Sequence, residues 1–127
     1  IKAIRDVGKR VVLAAPPPTP GFDAGRCNER LTTGRWSFGG SSDCQFELAS
    51  ALARSRKLHD FLNQVSRENE VGVIALEDVI CNAAENRCAT RWDHTLLYRD
   101  VGHLSYEGSV AIAERMRLSR LVENLAR

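Results

Sequence analysis

Asp100 stands three residues before His103 in the run LYRDVGHLSYEGS, residues 97–109, and Ser105 and Gly108 follow at once. An imidazole beside a carboxylate is suited to taking a proton from a hydroxyl. The ring acts as general base, while the acid fixes its tautomer and stabilises the imidazolium that forms. The same D-x-x-H spacing also satisfies a turn and caps a helix, so spacing alone does not choose between the two roles. If the pair is catalytic, it is half of a site and the nucleophile stands elsewhere. The other histidines read differently. His94 directly follows Asp93 beside Trp92, and adjacent residues seldom face each other, so it reads as loop surface or as a contact to a part of the domain outside these residues. His59 lies among Leu58, Asp60 and Phe61 in a helical stretch and reads as solvated or core-edge. Three separated histidines and oxidised cysteines argue against a metal site.

The elements that must position Asp100 and His103 follow from apolar spacing. IKAIRDVGK reads as the last two turns of a helix, with Ile1 and Ile4 on one face and Gly8 as the C-terminal stop. Val11 to Ala15, bounded by charges and prolines, predicts a short strand buried on both faces, as in a parallel sheet. Residues 16–44, rich in Pro, Gly, Ser and Thr, read as irregular. A helix is predicted over about 45–67, with Leu48, Ala51, Leu52, Ser55, Leu58, Leu62 and Val65 on one side and Asp43 as N-cap. VGVIAL (71–76) predicts a second buried strand, EDVIC one helical turn, and TLLY (95–98) a short third strand. The last helix is predicted over about 106–126, capped by Ser105, with Glu107 in its first turn and a stripe of Leu118, Leu121, Val122 and Leu125. Strands alternating with helices predict an α/β fold with a parallel sheet covered on both faces. Asp100 and His103 then fall just past the carboxyl end of a strand, where sites form in such sheets.

Composition narrows the classes. At 127 residues the chain is long enough for one small domain with one core. Its 43% hydrophobic and 27% charged residues are the balance of a globular protein. The longest apolar run, Val11 to Ala15, falls far short of the ~20 residues a membrane helix needs. A net charge of +2 with interspersed signs, and no basic block interleaved with aromatics, gives no support to nucleic-acid binding. Cys27, Cys44, Cys81 and Cys88 form no C-x-x-C pair. Of the three pairings open to them, Cys27–Cys44 with Cys81–Cys88 is favoured because each pair brackets a polar, loop-like stretch with little core of its own. Closing a loop of ~15 residues contributes about 3 kcal/mol on the chain-entropy model. Such bridges imply an oxidising compartment, a periplasm or the extracellular space; four buried free thiols in a cytosolic protein are the other reading.

The wider stretches carry a resemblance. LYRDVGHLSYEGS, the proline-ended GKRVVLAAPPP strand, a Phe and a Cys soon after it, and the cystine loop LEDVICN…RC resemble the SGNH (GDSL-like) hydrolase superfamily. They are similar in particular to the SGNH domain fused to acyltransferase-3-type membrane proteins that O-acetylate bacterial surface polysaccharides. The resemblance spans nearly the whole chain, and its most specific part is the Asp-x-x-His-Leu-Ser block. It implies a three-layer α/β/α, flavodoxin-like domain in a periplasmic or extracytoplasmic position, tethered to a membrane-anchored parent. The implied substrate is a polysaccharide or acylated sugar, and no cofactor is implied. It also implies a Ser-His-Asp triad in which His103 is the base and Asp100 its partner.

In that family the nucleophile is the serine of a Gly-Asp-Ser motif after the first strand, and further blocks supply an oxyanion Gly and Asn. The 127 residues hold no Gly-Asp-Ser and no G-x-S-x-G. Ser37 has Gly39 after it but Arg35 two before it, and Ser41 has Gly39 before it but Asp43 two after it. The expectation is therefore that residues 1–127 are the C-terminal part of one SGNH-type domain, with the nucleophile upstream of Ile1 and little or no activity in the isolated chain. An exposed sheet edge would then pair with another copy, giving a dimer whose mass falls on dilution in light scattering. A non-catalytic carbohydrate-binding or partner-docking module on the same frame is the alternative from another class, and a free-standing esterase is a third. Trp36 and Trp92, both in loops, are expected to pack against the disulfides; stacking on a sugar is their functional alternative.

Overall fold

The computed structural model describes residues 1–34 and 43–126. Trp36, Ser37 and Ser41 lie outside the described residues. Helix α1 (Lys2–Asp6) buries none of its residues, and Gly8 follows it in the left-handed region, as a helix stop requires. Strand β1 (Val12–Ala14) leads into the prolines. Its expected burial on both faces is not met: Val12 and Leu13 are half-buried, Ala14 is exposed, and only Ala15 beyond it is buried. Within the stretch expected to be irregular, α2 (Ala24–Thr33) forms. Asp23 caps it by accepting the Arg26 N–H at 2.9 Å, and Gly34 ends it in the left-handed region.

A two-residue strand β2 (Phe46–Glu47) precedes α3 (Leu48–Asn69). The N-terminus of α3 is capped by Asn86, not by Asp43: the Asn86 carbonyl accepts Leu48 N–H at 3.2 Å and Asn86 Oδ1 accepts Ala49 N–H at 2.8 Å. Asp43 instead accepts the Gln45 N–H and pairs with Arg87. The expected inner stripe of α3 is only partly inside. Ala51 is fully buried, whereas Leu52 and Leu58 are 37% and 41% exposed, so only the first part of the helix reaches the core.

Strand β3 (Gly72–Ile74) pairs in parallel with β1 in the register Val12↔Gly72, Leu13↔Val73, Ala14↔Ile74. Gly72 admits Leu125 of the last helix so closely that a Cβ there would stand 2.7 Å from the leucine Cβ. The single turn α4 (Glu77–Ile80) runs directly into β4 (Cys81–Asn82), which forms an antiparallel hairpin with β5 (Arg87–Cys88). β2 extends this hairpin on the β5 side. Both bridges are those favoured from the sequence, Cys27–Cys44 and Cys81–Cys88.

The third strand departs from expectation. Strands β6 (Arg91–Trp92) and β7 (Thr95–Leu96) form their own antiparallel hairpin, so the parallel sheet has two strands among the described residues. Leu97 and Tyr98, expected within a strand, run on from β7 as fully buried anchors. The final helix is also divided, into α5 (Tyr106–Arg115) and α6 (Leu118–Leu125), because Arg117 takes a left-handed conformation (φ 50°) between them. The core gathers Phe46, Ala51, Ile80, Cys88, Leu97, Tyr98 and Ile112 with Ala24. Phe46 meets Tyr98 edge to face at 6.0 Å, and the Tyr98 hydroxyl donates to the Pro18 carbonyl at 2.7 Å. Burial pushes that hydroxyl's pKa up, which keeps it a donor.

Candidate active site

Buried Leu97 and Tyr98 hold one end of the loop that carries Asp100 and His103. Tyr98 forms an isolated antiparallel bridge with Leu104, and the Arg99 N–H donates to the His103 carbonyl at 3.0 Å. The intervening residues are thereby closed into a tight loop on a fixed base. Asp100 organises it from within: Oδ1 accepts the Gly102 N–H at 3.0 Å and the His103 N–H at 2.9 Å. Both carboxylate oxygens then lie 3.0 Å from His103 Nδ1.

Electrostatics follow from these contacts. The two backbone N–H donors, Gly102 first and His103 second, hold the Asp100 carboxyl down at about 2 against the opposing effect of burial, and the His103 side chain adds smaller lowering contributions. An ionised carboxylate only accepts, so Nδ1 carries a proton toward it, and in the neutral ring Nε2 is then the nitrogen with the lone pair. The His103 side chain is 71% exposed, against 37% for Asp100. Arg99 Nε stands 3.4 Å from Asp100 Oδ2, an exposed contact of small energetic weight. The arrangement is an oriented imidazole, presented to solvent, that can accept a proton.

Ser105 has a structural role. Its Oγ accepts the Gly108 N–H at 2.8 Å as the N-cap of α5 and donates to the Leu96 carbonyl. Gly108 lets the helix close on the loop base, since a Cβ there would stand 2.6 Å from Leu97 Cα. Ser105→Ala is therefore expected to lower unfolding free energy by about 1 kcal/mol, read as a lower urea midpoint at unchanged slope.

The other candidates do not join the pair. His94 sits exposed at the β6–β7 turn. His59 is half-buried with Nδ1 3.7 Å from Glu77 Oε1, joining α3 to α4. Trp92 packs against the core cluster that contains Cys88, and the Arg115 guanidinium covers its ring at 4.6 Å, which occupies a face a sugar would need. Among the described residues no group of three or more His, Cys, Asp or Glu side chains could hold a metal ion. Nor is any helix among them long and apolar enough to cross a membrane.

Residues that sequence reasoning missed lie beside the loop. Gly25, at the start of α2, abuts Arg99 so tightly that a Cβ would fall 2.1 Å from the Arg99 carbonyl oxygen. Its only signal in the sequence is its place two residues after a capping Asp.

Parallel strands with helices between them, and an acid–histidine loop just before the last helices, define an α/β domain with a candidate proton-transfer site. A family model described as "SGNH domain (fused to AT3 domains)" matches residues 1–117, and the chain belongs to that family. No curated protein and no solved structure matches it. Membership makes the chain a hydrolase- or acyltransferase-like module of the kind associated with membrane acyltransferases.

Proposed function

We propose that this chain supplies the acid and base of an O-acyltransferase or acyl esterase acting on O-acetyl groups of a cell-surface polysaccharide. The observation that carries the reading is the Asp100 carboxylate, with both oxygens 3.0 Å from Nδ1 of an exposed His103. The nucleophile is a serine in a Gly-Asp-Ser segment that precedes Ile1 in the whole protein, which is tethered to a membrane on its extracytoplasmic side. The two disulfides support that placement. The two-stranded parallel sheet, open along its edges among the described residues, supports pairing of isolated chains.

The chemistry then runs in two displacements. The serine hydroxyl passes its proton to His103 Nε2 as its oxygen attacks the acyl carbonyl, while Asp100 steadies the imidazolium. The tetrahedral adduct collapses with loss of the sugar oxygen, which takes the proton back from His103. In the second half an acceptor hydroxyl or water gives its proton to Nε2 and attacks the acyl-serine. The serine then leaves and is reprotonated. Every proton returns, and no cofactor enters.

A serine-directed fluorophosphonate tests the assignment by intact mass. The 127-residue chain is expected to take up no label that depends on His103. The whole protein is expected to take up one, and to lose it in His103→Ala. A His103-dependent adduct on the chain itself would place the nucleophile within these residues. Failure of the whole protein to react would favour a binding module.

A further inference from the structure

A cavity of about 530 Å³ opens beside the Asp100–His103 loop, lined by Gly25, His94, Thr95, Leu96, Tyr98, Arg99, Ser105 and Glu107. Its walls come from four segments that the fold brings together: the start of α2, the β6–β7 hairpin, the loop base and the first turn of α5. The connection to the candidate site is covalent and direct. Arg99 lines the cavity and places Nε 3.4 Å from Asp100 Oδ2. Ser105, two residues after His103, lines it too. A larger cavity of about 640 Å³, at the junction of α5 and α6, shares no residue with the loop.

The lining has two characters. Leu96, 37% exposed, gives the lining an apolar side chain, and the fully buried Tyr98 lies behind it. His94 and Glu107 stand exposed at the wall and, among the described residues, make no hydrogen bond or ion pair through their side chains. A carboxylate with unused lone pairs accepts from vicinal hydroxyls, and a histidine can donate or accept. An alkyl chain in the same space would strip water from both groups and return nothing. A two-carbon acetyl group would leave most of the space empty, because the volume lies in the ~300–1,000 Å³ range of whole small-molecule sites. A pyranose ring has both an apolar C–H face and a rim of hydroxyls.

We propose that this cavity holds the sugar ring next to the ester under attack, with Glu107 and His94 as the residues that determine which glycan is accepted. This rests on the acyl-transfer reading above. Arg99, shared by the cavity and the loop, sets the distance between the bound ring and His103.

The test compares kcat/KM of the whole protein on a mono-O-acetylated methyl hexopyranoside with that on p-nitrophenyl acetate, which has no sugar. Glu107→Gln and His94→Ala are each expected to lower the ratio of the two about 10- to 100-fold, the size of one lost hydrogen bond to a charged or strongly polar group. Glu123→Gln, remote on α6, serves as the control for the ratio. A ratio unchanged in both cavity variants, whether because neither activity falls or because both fall together, overturns the proposal. If the unsubstituted protein cleaves neither ester, the acyl-transfer reading fails on its own account. NMR titration of the chain with the unacetylated methyl hexopyranoside then decides the cavity separately. Shifts confined to residues 94–99 and 107 support it, and their absence overturns it.

Discussion

Asp100→Asn in the whole protein is expected to leave the fold intact and to lower acyl turnover about 10⁴-fold. The two effects separate because the loop contacts fall on Oδ1, whereas the ring nitrogen faces both carboxylate oxygens. Oδ1 holds the loop by accepting the Gly102 and His103 N–H groups, and an asparagine carbonyl can do the same. The amide nitrogen then falls at the Oδ2 position, 3.0 Å from His103 Nδ1. It can only donate there, which sets an N–H against Nδ1–H. This favours the ring with its lone pair at Nδ1 and its proton on Nε2, even with Oδ1 also within reach of Nδ1. That tautomer cannot accept from a hydroxyl at Nε2. Unchanged thermal unfolding together with lost turnover is the expected result. Full turnover in Asp100→Asn would remove the acid from the mechanism.

The same geometry gives a pH signature. Asp100 titrates near 2 in the folded chain, below an ordinary carboxylate near 3.9. A carboxylate depressed in this way adds stability that is fully present above the unfolded value, and loses it as pH falls through the folded one. The loop therefore stays charged and closed throughout the range in which histidine titrates. The acid limb of a turnover profile should accordingly carry no proton from Asp100.

The legibility of this chain follows the range of the interactions. The Asp100–His103 pair spans three residues, and the Ser105 cap spans three, so residue types and spacing were enough to anticipate both contacts, though not the role of the first. The parallel pairing of β1 with β3 was legible because continuous apolar runs bounded by prolines and a helix leave little choice. The helix α2 was hidden because its buried residues are Ala24 and Asn28, which give no apolar stripe to read; its caps, Asp23 and Gly34, were present but unweighted. The cap of α3 comes from Asn86, 37 residues away from Ala49, and no local pattern can report that. The break before α6 falls at an arginine in a left-handed conformation, with no Gly or Pro to announce it. The cavity was invisible for the same reason as the distant cap, since its walls come from four separate segments.

Replacing Cys27 and Cys44 together by alanine is expected to cost about 3 kcal/mol of stability, and replacing Cys81 and Cys88 about 2 kcal/mol, from the loop lengths alone. The bridges span 17 and 7 residues of sequence. The smaller figure matches the smaller loop, whose ends are also held by β4–β5 pairing. The larger bridge has a second consequence. Cys27 sits in the first turns of α2, two residues after Gly25, which presses on the Arg99 carbonyl at the base of the candidate site. Few core contacts hold this helix besides Ala24 and the buried pair Asn28 and Thr90, joined by a hydrogen bond of 3.0 Å. Loss of the Cys27–Cys44 link should thus loosen α2 and, through Gly25, the wall of the cavity and the setting of Arg99. Urea unfolding followed by far-ultraviolet circular dichroism should show the ordering of the two losses. Amide exchange should show residues 99–103 speeding up in the Cys27/Cys44 variant but not in the Cys81/Cys88 variant. Equal exchange in both would mean that α2 is held by its other contacts, and that the bridge stabilises the chain without bearing on the site.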